Sequence, residues 1–281
     1  MALRKVDFDF NMFGQKYSFS LNLDLQVPNH QIILDYAKKD QLYEPEVSNF
    51  VIRCMRNGGV LIDVGAHLGF LSILAAAVGG EKVSVVACEP DPDNIQQIVA
   101  NINLNKFENI SILDRPVSDL NATVPFYKNL ADSGGNALWD PALYPGNDKL
   151  KDNPHVISKE TDTLNNIIRS LDCPKVKLIK IDTEGAEQKV LIGAGDLLIP
   201  EKVTYVIAEL HSFGLSQFGH DQNSLRQLMK ERGYECFLMS QSNHIPTLIP
   251  PKTMIKSKYI QNFLFTTQDA LSDLWPIEEL P

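Results

Sequence analysis

The sequence predicts an α/β fold built on a mainly parallel sheet, and three observations predict it. VLIDVGAHLG, residues 60–69, is an apolar run that ends in Asp63, turns on Gly65 and reaches a second glycine, Gly69. About twenty residues further on, a second apolar run, VSVVACEPD, also ends in an acid, Glu89. Strand, glycine turn, helix, strand and acid together form half of a nucleotide-binding unit. Beyond it, strand-like runs keep alternating with helix-like ones, the pattern of parallel strands joined by right-handed crossovers.

The elements follow in order. FDFNMFGQKYSFSLNL alternates and carries Phe and Tyr, which predicts a short hairpin. NHQIILDYAKKD predicts a helix with Asn29 as its cap. EPEVSNFVIRCMRNGG sets Val47, Phe50, Val51, Cys54 and Met55 at helical spacing and stops at a glycine pair. Residues 1–42 are read as a hairpin and helix cap beside the opening of the nucleotide unit, and residues 43–281 as the main domain. VLIDV, VSVVACE and NISILD read as strands separated by helices FLSILAAAVGG and DNIQQIVANINLN. The stretch from Leu120 to about His155 reads as loop, being dense in Gly, Pro, Asn and Asp. TDTLNNIIRSLD, EGAEQKVLIGAGDLL and Ser224–Arg232 read as helices, and VKLIKID and VTYVIAEL as strands. YECFLMS and IQNFLFTT close the chain with no long helix between them, which predicts an antiparallel edge hairpin.

Composition narrows the function. A hydrophobic content of 44% and a charged content of 22% are ordinary for a soluble globular protein, so no disordered or fibrous class is called for. A net charge of −9 argues against a nucleic-acid partner, because phosphate binding needs a basic face. No apolar run is long enough to span a membrane, and MALRKVDFDF carries acids where a signal peptide needs an apolar core. Cys54, Cys88, Cys173 and Cys236 show no paired spacing for zinc or redox work. The expectation is a reduced, cytoplasmic protein.

Asp63 ends its strand where open α/β sheets place their ligands, Gly65 permits the tight turn, and Gly69 permits close packing of helix against strand or ligand. Glu89 is placed to accept both ribose hydroxyls; the competing structural role, an acid at a helix start, can be filled by Asp91 or Asp93. That ribose is common to dinucleotides and S-adenosylmethionine, so the turn has to discriminate. A dinucleotide turn wants G-x-G-x-x-G, letting backbone approach a pyrophosphate. Here the middle glycine is replaced by His67, and the leading Asp63 would repel a pyrophosphate while suiting the ammonium of an amino-acid tail. S-adenosylmethionine is therefore the expected cofactor, with a nicotinamide-dependent oxidoreductase and a non-catalytic binding module as the alternatives.

LIDVGAHLGF, VACEPDPDN with NINLN, LIKIDTEGAE with VLIGA, and VIAEL, in that order, resemble the FkbM family of S-adenosylmethionine-dependent methyltransferases. The resemblance runs from about Leu42 to Leu210, including YEPEV ahead of the first strand. The resemblance implies a seven-stranded class I methyltransferase sheet with helices on both faces. It also implies methylation of hydroxyls on sugars, natural products or other small molecules. One departure is His67, where the family turn usually carries Asn.

The rest of the site is read from the second half. In VKLIKID, Lys180 and Asp182 point to one side of the strand. A lysine in an apolar strand needs a partner or a path to water, so the two form either a structural ion pair or a polar wall of the pocket. Asp182 is assigned to the pocket because it ends the strand. Glu184 and Glu187 are read as first-turn helix acids, although Glu184 is a signature position of the resemblance. Glu209 and His211 leave the next strand on one side, and His211 is assigned as general base, imidazole titrating near operating pH. The candidate catalytic set is thus His211, Asp182, Lys180 and Glu209. The cofactor set is Asp63, Gly65, His67, Gly69, Glu89, Pro90, Val117 and Asp182, with Pro116 and Val117 bordering the adenine. A divalent cation held by Asp182, Glu209 and His211 is a second mechanism, ranked below the metal-free base. DSGGN and YPGND, in the long loop, suit a substrate lid.

Overall fold

The computed structural model gives the fold for residues 3–145, 147, 155–173, 175–240, 243–257 and 260–275. Strands β1 (Leu3–Met12) and β2 (Gln15–Asp24) form the expected hairpin around Phe13-Gly14. Helix α1 (Pro28–Ala37) starts one residue before Asn29, because Pro28 fits the first helical turn; Val27 holds the cap position and Asn29 is not the cap. Helix α2 (Pro45–Met55) leads to β3 (Gly59–Val64), α3 (Phe70–Gly79), β4 (Val83–Cys88), α4 (Pro92–Asn105) and β5 (Ile110–Leu113). The expected loop then folds in part: its start forms β6 (Thr123–Lys128), which pairs antiparallel with β7 (His155–Glu160) at its far end and beyond. Its residues 146 and 148–154 lie outside the described residues. Next come α5 (Leu164–Ser170), β8 (Val176–Ile181), α6 (Glu187–Ile192), β9 (Val203–Leu210), α7 (Ser212–Gln217), α8 (Gln222–Glu231), β10 (Glu235–Ser240), β11 (Asn243–Leu248), β12 (Gln261–Thr266) and α9 (Gln268–Leu274).

The central sheet runs β11-β10-β12-β9-β8-β3-β4-β5, with β9, β8, β3, β4 and β5 parallel. This is the expected Rossmann-like class, with eight strands here instead of seven because β11 is added at one edge. The two closing strands pair antiparallel as expected, but away from the edge: β11 holds the edge, and β12 inserts antiparallel between β9 and β10. Its burial explains the place, since Phe263, Leu264 and Phe265 are all fully buried and an edge would expose them.

Alternate strand residues face opposite layers. Leu61, Val85, Leu178, Tyr205 and Ile207 pack with α2, α3 and the hairpin, while Ile62, Val64, Ile179, Ile181, Val206 and Ala208 pack with α5, α6 and α8. The same period carries the first face on to Asp63, Lys180 and Glu209 at the strand ends. One face therefore turns from apolar to charged within a single step of each strand. Among the described residues no helix is long and apolar enough to cross a membrane.

Two asparagines of α4 fasten the hairpin. Asn101 accepts from the Asn22 N–H (2.8 Å) and donates to the Leu68 carbonyl (3.0 Å), and Asn105 accepts from the Ser20 N–H (2.8 Å). Asn101 is fully buried, so replacing it with an apolar residue strands two backbone groups. Asn101→Leu is expected to cost about 2–4 kcal/mol, read as a lower urea midpoint.

Candidate active site

The sheet order reverses between β3 and β8, where open α/β sheets bind ligands. A cleft of about 1210 Å³, its open mouth included, lies there. Asp63, Gly65, His67, Glu89, Pro90, Pro116, Val117, Lys180, Asp182 and Glu209 line it. Gly69 and His211 do not.

On the side of β3 and β4, the turn is fixed by backbone geometry. Gly65 has φ +82°, and a Cβ there would lie 1.7 Å from the Asp182 carbonyl oxygen. Only glycine lets the ends of β3 and β8 come this close, and so brings Asp63 and Asp182 into one cleft. The N–H groups of Gly65 and Ala66 donate to the Cys88 carbonyl, tying the turn to β4. His67 follows in the left-handed region at φ 52°, which His and Asn tolerate better than most residues. Gly69 caps α3 at φ +86° and faces Ile98 of α4, so it serves the helix start and not the cleft wall.

Glu89 leaves the capping of α4 to Asp91, whose side chain accepts from the Asp93 N–H. Glu89 itself lines the cleft, and its carboxylate also accepts from the N–H groups of His67 (2.9 Å) and Asp91 (2.9 Å). Burial pushes its pKa up to about 7, opposed by those N–H groups. Asp63 is 2% exposed, accepts from the Ser72 hydroxyl (2.6 Å), and is pushed by burial to about 6.

The opposite wall is built around one ammonium. Lys180 is 1% exposed, with Nζ 3.4 Å from Asp182 Oδ2. Burial alone would push Lys180 down, but Asp182, Glu44, Glu209 and Asp63 outweigh it and hold the ammonium charged. Asp182 is correspondingly ionised: Lys180 and a hydrogen bond with Glu209 overcome its burial. Burial, then the charge of Asp182, drives Glu209 well above the carboxylate range, making it the protonated partner. Glu44, absent from the expected set, lines the cleft and is pushed by burial to about 7, against the pull of Lys180.

Glu44, Asp182 and Glu209 each present a carboxylate oxygen within 4.8 Å of the others, the spacing a cation would need. His211 is not part of that group, and the ammonium of Lys180 already supplies a positive charge beside it.

His211 sits behind the wall. Its Nδ1 accepts from the Gly214 N–H (2.9 Å), and its Nε2 lies 3.6 Å from the Glu184 carboxylate. A neutral imidazole whose one lone pair is taken by a backbone N–H has none left for an acceptor hydroxyl. Glu184 is not in a helix: it lies in the preceding turn at φ 56° and lines the cleft. Glu187 starts α6, and its Oε1 gathers the Thr183 and Gly185 N–H groups, a structural task.

The loop expected as a lid reaches the cleft through side chains. Ser133 Oγ lies 2.9 Å from His67 Nε2, and Asn136 donates to Asp91 Oδ2 (2.8 Å). Trp139 Nε1 donates to the Glu184 carbonyl (2.5 Å). The sequence reading missed Glu44 on the cleft wall and Trp139 as the partner of Glu184, while Ser133 lies in DSGGN, which it assigned to a lid. For Glu44 a signal existed: an acid ahead of the helix-opening Pro45, in a segment already marked by YEPEV.

Residues 63–236 match the model of the Methyltransferase FkbM domain. The chain is similar to the hexuronic acid methyltransferase AglP of Haloferax volcanii, 26% identical over 199 residues that cover 69% of this chain and 70% of that protein. Among solved structures, methyltransferase FkbM from Methylobacillus flagellatus aligns at TM-score 0.45 and 16% identity, covering 87% of this chain and 56% of that one. The Methanococcus jannaschii fibrillarin pre-rRNA processing protein aligns at TM-score 0.46 and 9% identity, covering 95% and 98%.

Two glycines test what shapes the turn. Both Gly65 and Gly69 have positive φ, but a Cβ at Gly69 meets Ile98 at an ordinary 3.4 Å. Gly69→Ala should cost the backbone strain alone, about 1–2 kcal/mol, and Gly65→Ala at least about 2 kcal/mol more. Urea unfolding of the two variants checks the order.

Proposed function

The chain belongs to the FkbM methyltransferase family, and from that premise we propose that it uses S-adenosylmethionine to methylate a hydroxyl of a sugar-containing acceptor. The observation that carries this reading is the single cleft in which a nucleoside-type half-site, Asp63, His67 and Glu89, faces a carboxylate cluster around Lys180. When bound, S-adenosylmethionine supplies an electrophilic methyl group on a positively charged sulfonium. The charge of the cleft fits that ligand, since Asp63, Glu44, Asp182 and Glu209 surround one ammonium. Glu89 would hold the ribose, Pro90 and Val117 would border the adenine, and Asp63 would face the amino-acid tail. A sugar acceptor is supported by the hexuronic acid methyltransferase among the relatives, and the net charge of −9 disfavours nucleic acid.

In this reading Glu44 replaces His211 as the base. Its carboxyl titrates near neutrality, at about 7, and it stands beside Asp182 and Glu209 on the cleft wall. A base matched to the operating pH takes the hydroxyl proton as the oxygen forms its new bond to carbon. Lys180 keeps Asp182 ionised and fixes its orientation, and Glu209 acts as a hydrogen-bond donor to Asp182.

A panel of neutral and uronic sugars, assayed by S-adenosylhomocysteine release, tests the acceptor class; turnover confined to compounds without a sugar would refute it. Glu44→Gln is expected to lower the rate about 10²–10⁴-fold while calorimetric affinity for S-adenosylhomocysteine holds, and an unchanged rate removes Glu44 as base. Cofactor affinity should respond to pH. Asp63 and Glu89 are protonated below about 6 and about 7 respectively, and only their ionised forms favour a cation. Affinity for S-adenosylmethionine should therefore rise from acid pH through this range and then level off. Calorimetry in buffers of different ionisation heat should show proton release, which Glu89→Ala reduces along with the affinity.

A further inference from the structure

Beside the cleft, four rings gather on Glu184. The indole of Trp139 lies 6.0 Å from the His211 ring and 5.4 Å from that of Phe213. Tyr144 closes the group from outside, 5.7 Å from His211 and 5.1 Å from Phe213, and stays 41% exposed. The group is continuous with the cleft, because Trp139 donates to the carbonyl and His211 approaches the carboxyl of a residue that lines it. Two glycines without room for side chains press these parts together. A Cβ on Gly185 would lie 2.4 Å from the Gly214 Cα, and one on Gly214 would lie 2.1 Å from the Glu184 carbonyl oxygen.

The chemistry of this surface is mixed in a particular way. Tyr144 and Phe213 offer apolar ring surface beside the cleft, while the carboxyl of Glu184 on the cleft wall and the imidazole of His211 behind it offer hydrogen bonds at the inner edge. Neither polar group is tuned to carry charge: burial raises the Glu184 carboxyl well above the carboxylate range and lowers His211. An acyl chain would leave the inner groups unpaired. A pyranose ring satisfies both parts, with an apolar C–H face against the rings and hydroxyls toward the edge.

We propose that Tyr144 and Phe213 form a second acceptor subsite that holds the sugar ring adjoining the one to be methylated. This rests on the sugar-acceptor reading above. It makes an oligosaccharide or glycoconjugate the preferred acceptor over a free monosaccharide.

A glycan array of mono- to tetrasaccharides, neutral and uronic, probed with the labelled full chain saturated with S-adenosylhomocysteine, tests this. Oligosaccharides should bind about tenfold more tightly than monosaccharides. That advantage should vanish in Tyr144→Ala and Phe213→Ala and persist in Tyr144→Phe, while calorimetric affinity for S-adenosylhomocysteine stays unchanged in all three. If both alanine variants keep the wild-type preference, the subsite is overturned and the sugar-acceptor reading stands. If the wild type holds S-adenosylhomocysteine but binds no sugar, both fall. Should Phe213→Ala fail to fold, Tyr144→Ala decides alone, because Tyr144 is largely exposed.

Discussion

The site depends on the ammonium of Lys180. An isolated charge in a protein interior costs several kcal/mol even after relaxation, so a fully buried lysine in an apolar strand persists only with compensation close by. Here the compensation is excessive: Asp182, Glu44, Glu209 and Asp63 all act on one cation. The surplus negative charge cannot all remain ionised at neutral pH, and the groups sort themselves by distance and burial. Asp182 keeps its charge, Glu209 keeps its proton, and Glu44 is poised between. Without Lys180, Asp182 would lose the charge that keeps it ionised against its own burial. The lysine thus stabilises a charge distribution that a cationic ligand can complete.

The backbone around this cluster is equally committed. Glu44, His67 and Glu184, all on the cleft wall, have φ of 45°, 52° and 56°. Left-handed backbone costs about 1–2 kcal/mol at a residue with a Cβ, so each position is held there by its surroundings. His67 is held by its N–H to Glu89 and its ring to Ser133. Glu184 is held by Trp139 on its carbonyl. The result is a set of side chains aimed by strained turns at one space, which regular elements could not do alone.

This division explains what was readable in the sequence. The strand, turn and helix around Asp63 follow from periodicity and glycine placement, because each depends on neighbours in the chain. The same holds for Lys180 and Asp182, two apart on one strand. Glu44 depends instead on α2 being folded against β8, a contact that no local pattern encodes. The surroundings of His211 were invisible to spacing for a local reason: a three-residue turn brings the Gly214 N–H onto its Nδ1. The place of β12 also required the tertiary view, since its total burial, and not its distance from β10 in the chain, decides that it is interior. Strands β6 and β7 were hidden by Pro125 and by polar residues that read as loop.

The segment from Ser133 to Tyr144 then links the two halves of the cleft. Its first residues hold the wall of β3 and β4, through Ser133 on His67 and Asn136 on Asp91. Its last residues reach the opposite wall, through Trp139 on Glu184 and Tyr144 on His211. The end of β6 adds a further anchor, with Lys128 paired to Asp91 (2.8 Å) and Asp93 (2.6 Å). A ligand that orders one end of so short a segment reduces the freedom left to the other. Any coupling between cofactor and acceptor carried this way is reciprocal by thermodynamic necessity.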